Sequence, residues 1–74
     1  MEKKQQDFFN FLGRKIEKLY IKKFSSQYAF AKEIGCDART IRRIIRGEQN
    51  VSLLLLLKIA ESLDISLSDL VKGI

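Results

Sequence analysis

Seventy-four residues, 46% of them hydrophobic, make one small domain close to the lower size limit for a self-sufficient core. A net charge of +5 favours an anionic partner, whether nucleic acid, an acidic protein or an anionic membrane surface. One cysteine, Cys36, and no histidine exclude disulfide frameworks, the usual zinc ligand sets and imidazole-based catalysis, so neither an enzyme nor a cofactor, metal or small-molecule ligand is expected.

The opening MEKKQQDFF lacks the apolar segment of a signal peptide, and the longest apolar run, Leu53 to Leu57, is far too short to span a membrane; a soluble cytoplasmic protein is the expectation. Proline is absent and apolar positions recur at spacings of three and four, which predicts an all-α chain. Residues 1–6 are candidates for a frayed start, and residues 7–74 read as a single domain without linker or internal repeat. The first helix is predicted from near Asp7 to about Lys23, with Phe8, Leu12, Ile16 and Leu19 on its buried stripe. Ser26 is placed to cap a short second helix, Gln27 to about Ile34, which Gly35 ends by taking positive φ. Asp37 caps a third helix, closed by Gly47. After the polar loop EQN, Ser52 caps a fourth helix through Leu63, and Ser66 a short fifth, LSDLV.

The third helix, ARTIRRIIRG, holds four arginines and no acid. At helical spacing Arg39, Arg42, Arg43 and Arg46 fall within an arc of about 100°, with Ile41, Ile44 and Ile45 opposite. Solvated charged faces usually mix signs, because like charges one turn apart repel. An unmixed arginine face is suited to phosphate, or to the O6 and N7 atoms of guanine in the major groove.

From about Leu12 to Val71 the chain resembles the lambda-repressor-like (XRE or Cro type) helix-turn-helix family. LGRKIEKL carries the resemblance in the first helix, SQYAFAKEIGCDARTIRRIIRG across the two motif helices, and NVSLLLLLKIAESLDISLSDLV at the end, with Ala31, Gly35, Ile41 and Gly47 in register. The resemblance implies a compact five-helix domain whose second motif helix, residues 38–46, enters the major groove of double-stranded DNA. It also implies that Ala38, Arg39 and Arg43 read bases, with Arg42 beside them, and that Gln27, Thr40, Arg46, Gln49 and Asn50 meet phosphates and set the register. Where the family commonly has an arginine and a glutamate joined as an ion pair, this chain has Tyr20 and Ile45. A buried ion pair can be exchanged for packed apolar groups without loss, so Tyr20 and Ile45 are expected to be buried and in or near contact.

Leu53, Leu56, Leu57, Ala60 and Leu63 are expected to form the inward stripe of the fourth helix, leaving Leu54 and Leu55 for another surface. The simplest such surface is a two-fold contact between chains, shared with Ile65, Leu67, Val71 and Ile74. A homodimer would place two reading helices about 34 Å apart, matched to a palindrome. Cys36 is expected to pack in the turn, and Phe8, Phe9 and Phe11 to be mainly structural. The resulting expectation is a sequence-specific DNA-binding transcriptional regulator, a repressor or activator similar to phage repressors and to the controller proteins of restriction-modification systems, towards which RGEQNVSL leans. The alternative is a protein-interaction module such as an antitoxin.

Overall fold

The computed structural model describes residues 3–48 and 50–73 and consists of α1 (Lys3–Lys23), α2 (Gln27–Ile34), α3 (Ala38–Ile45), α4 (Leu53–Ser62) and α5 (Leu67–Val71). No strand occurs among the described residues. Each of the last four helices starts where a side-chain oxygen meets an otherwise unpaired backbone N–H of the first turn. Ser26 accepts from Ala29 N at 3.0 Å, Asp37 from Thr40 N at 2.8 Å, Ser52 from Leu55 N at 3.1 Å and Ser66 from Asp69 N at 3.0 Å. Each of these caps was legible as a short polar residue preceding an apolar period.

The core takes one stripe from every helix. Leu12, Ile16 and Tyr20 of α1 meet Phe30 and Ile34 of α2, Ile41 and Ile44 of α3, Ile59 of α4 and Leu70 of α5. Among the described residues no polar or charged residue is buried, so the cluster is held by apolar burial and dispersion, with few directional bonds. Tyr20 occupies the middle of it, its ring stacked on Phe30 at 5.1 Å and 3°, with Phe24 tilted against the same Phe30 ring at 5.2 Å. Ile45 is half-buried and packs on this cluster too. The two positions where the resembled family commonly has opposite charges are thus both taken into apolar packing, and the ring partner of Tyr20 is Phe30.

Two expectations are corrected. The first helix starts at Lys3, ahead of the expected Asp7, because its opening turn has a distant anchor: Gln6 Nε2 donates to Asn10 Oδ1 at 2.9 Å and to the Gly47 carbonyl at 3.0 Å. In α4 the inward stripe is set by Ile59, Ala60 and Leu63, with Leu55 and Leu56 packing against them. Leu53 and Leu57, expected inward, are 70% and 42% exposed, and Leu54 is 62% exposed. Leu55, expected to point elsewhere, belongs to the core. Five consecutive leucines carry no phase of their own, and only the downstream Ile59 settles which of them turns in.

Candidate nucleic-acid interface

The link between α2 and α3 is a tight glycine turn. Gly35 takes the left-handed conformation, φ 78°, while the Cys36 N–H reaches back to the Ala31 carbonyl at 3.0 Å, which satisfies the last carbonyls of α2 and turns the chain sharply. Cys36 is half-buried in this turn. Its thiol pKa is raised by burial and then by the neighbouring Asp37 carboxylate, with Lys58 opposing. Such a thiol stays protonated and packs, as expected; a reactive cysteine needs the opposite environment. No group of three or more His, Cys, Asp or Glu among the described residues could hold a metal ion.

Asp37 then starts α3 with two bonds to one residue: it accepts from Thr40 N at 2.8 Å and from Thr40 Oγ1 at 2.9 Å. These bonds, followed by the charges of Arg39 and Arg43, hold the exposed Asp37 carboxyl below its ordinary pKa. With Ile41 and Ile44 buried and Ile45 half-buried, α3 has only one rotation about its axis. That rotation puts Arg39, Arg42, Arg43 and Arg46 on the exposed side. Among the described residues none of the four guanidinium groups donates to a protein acceptor, so their five-donor forks remain available to a ligand.

The far end of α3 is gripped from behind. Gly47, at φ 73°, gives its N–H to the Ile44 carbonyl at 3.0 Å, and its own carbonyl accepts from Gln6. A Cβ at Gly47 would collide with the Asn10 side chain, and one at Gly13 would lie 2.5 Å from the Ile44 carbonyl oxygen and overlap that of Ile45. These two glycines let α1 lie directly on the closing turn of α3. The angle at which the arginines are presented is therefore a rigid property of the α1–α3 contact.

The proposed base readers Ala38, Arg39, Arg42 and Arg43 share one side of α3 but run along it, Ala38 and Arg39 in its first turn and Arg42 and Arg43 in its last, with Ala38 half-buried. Gln27 opens α2 and is half-buried, Asn50 is exposed in the loop before α4, and Arg46 forms the exposed C-cap of α3. Thr40 differs from the expectation in chemistry: its hydroxyl hydrogen is given to Asp37, so it can serve a phosphate only by leaving the cap. Gln49 and Ile74 lie outside the described residues. Sequence reading missed Gly13, Gln6 and Asn10, which hold the interface in place. A signal existed for Gly13, since glycine inside a helix costs about 1 kcal/mol relative to alanine and calls for a packing reason; Gln6 and Asn10 are ordinary surface residues until the chain folds back.

No curated protein sequence matches the chain. Among solved structures it is similar to the restriction-modification controller protein C.AhdI from Aeromonas hydrophila, with a TM-score of 0.81 and 32% identity, covering 88% of this chain and 94% of that one. The helix-turn-helix family profile matches residues 14–70, a range that takes in α2, the glycine turn and the arginine-bearing α3. The chain belongs to the XRE-type helix-turn-helix family of DNA-binding transcription regulators.

Proposed function

We propose that the protein is a sequence-specific transcriptional regulator that binds a palindromic operator as a homodimer, with α3 in the major groove of each half-site. The observation that carries this reading is the one-sided α3, three isoleucines inward and four arginines outward. A helix so oriented offers bidentate guanine contacts through Arg39 and Arg43 and phosphate contacts through Arg46. Gln27 and Asn50 add phosphate contacts on either side.

The likeness to C.AhdI, a restriction-modification controller protein at 32% identity, supports a controller role in which the concentration of a small cytoplasmic regulator sets operator occupancy, without enzymatic activity. Dimerisation is assigned to the exposed leucines at the start of α4. Leu53, Leu54 and Leu57 are among the exposed large apolar side chains and leave an apolar surface on α4. Ile65 and Leu67 are already half-buried against the core and can contribute only their remaining area. Half-buried Val71 lies near the chain end and is a secondary contributor.

Selection of bound sequences from a random duplex pool tests the reading. A palindromic consensus is the expected result. Failure to enrich any sequence sinks it in favour of a protein-interaction module.

A further inference from the structure

A second basic surface lies on the outward side of α1. Phe11, Arg14, Lys15 and Lys18 line a groove of about 330 Å³, with no acidic residue among its walls. Phe11 is left 37% exposed there, and Ile21, one turn beyond Lys18, is 61% exposed. Lys15 is held in place: its Nζ donates to the carbonyls of Asp69 and Lys72 at the end of α5, the latter at 3.1 Å. A cation at the C-terminal end of a helix is favourable, so one wall of the groove is fixed by the fold. Gly13 marks the side of α1 pressed against α3. Helical spacing puts Phe11, Arg14 and Lys18 about 100° to 160° around the axis from it, so an occupant of the groove would not obstruct the arginine helix.

We propose that this groove docks an acidic protein segment carrying an apolar anchor residue, and that it can do so while α3 is on DNA. Carboxylates of the segment pair with Arg14 and Lys18, and its apolar side chain covers Phe11. Charge complementarity selects an acidic occupant, and the aromatic lining selects one with an apolar group, as interface cores combine aromatic and arginine side chains. A DNA backbone offers phosphates but nothing apolar for Phe11. A membrane-surface helix buries a broad apolar face beside its basic one, whereas Phe11 is, among the described residues, the one apolar side chain lining this groove, its ring edge close to Gly73.

Fluorescence anisotropy of the full chain with two labelled peptides tests this. One peptide alternates aspartate with leucine and phenylalanine; the other has serine in place of the apolar residues. The first peptide should bind the wild type and an Arg39→Ala/Arg43→Ala variant alike. It should bind Arg14→Gln/Lys18→Gln and Phe11→Ser at least tenfold more weakly, and the serine peptide should bind the wild type at least tenfold more weakly. A charge-matched Lys22→Gln/Lys32→Gln variant, shown with the others to be folded by circular dichroism, should behave as wild type. Equal binding of the two peptides, or losses in the charge-matched variant as large as in the groove variant, reduces the effect to bulk charge and overturns the proposal. So does loss confined to the Arg39/Arg43 variant. If the groove variant instead loses random-duplex affinity, or co-sedimentation with phosphatidylglycerol vesicles, beyond the charge-matched control, the face belongs to DNA or membrane and the proposal fails.

Discussion

Gly13, in the middle of α1, lies directly against the carbonyl of Ile44 in the last turn of α3, so near that a Cβ at this glycine would sit 2.5 Å from the Ile44 oxygen. The arginine helix is thereby backed by the longest helix in the protein. Gly13→Ala should destabilise the protein by about 1 to 3 kcal/mol through overpacking, outweighing the gain of about 1 kcal/mol in helix propensity. Urea unfolding measures the balance. An unchanged or raised midpoint would show that α1 can slide off α3 without cost.

Gly35 and Gly47 share positive φ but differ in surroundings, since a Cβ has open space at Gly35 and strikes Asn10 at Gly47. Both alanine variants carry the left-handed backbone penalty of about 1 to 2 kcal/mol. Gly47→Ala should therefore be the less stable of the two, and should also lower DNA affinity by releasing the end of α3. Paired thermal melts decide the order; equal losses would leave no energetic part for the Asn10 contact.

Arg43→Ala or Arg39→Ala should cost about 1 to 3 kcal/mol on the selected operator and relax preference at one base position. Gln27→Ala should weaken selected and random duplexes alike. Titrations on both duplexes separate the cases, and an equal loss on both for Arg43→Ala would move that residue to the phosphate group.

The Asp37 cap makes α3 acid-sensitive. Its carboxyl is held below the ordinary value of 3.8, first by the Thr40 N–H and hydroxyl bonds and then by Arg39 and Arg43. A lowered folded-state pKa means that the contribution is complete above the unfolded value and is lost as pH falls through the folded one. Asp37→Asn keeps an acceptor oxygen and removes the titration, so the stability advantage of wild type over the variant should shrink below about pH 4. A difference that stays constant across melts between about pH 2 and 6 would contradict the linkage.

Leu54→Glu/Leu57→Glu should give a folded monomer, because both side chains stand clear of the stripe set by Ile59, Ala60 and Leu63. Each leucine buried at a contact is worth about 1.5 to 3 kcal/mol before the cost of association. Sedimentation velocity would show the change. A variant that stays dimeric assigns the contact to another face. Leu55→Glu, by contrast, should cost stability in the monomer itself, since Leu55 packs on the core.

Local signals carried much of the protein to the surface of its sequence. Ser26, Asp37, Ser52 and Ser66 announce helix starts because a cap is made within three residues. The arginine face of α3 follows from helical period alone, because three isoleucines leave one orientation. What needed the tertiary structure is whatever depends on segments far apart in the chain. Gln6 joins the helix because Gly47 receives its hydrogen bond, and Gly13 is required because Ile44 and Ile45 arrive beside it. The leucine run of α4 shows the division most plainly: five like residues have no internal phase, so which of them faces the core is decided by Ile59 and the helices that Ile59 meets.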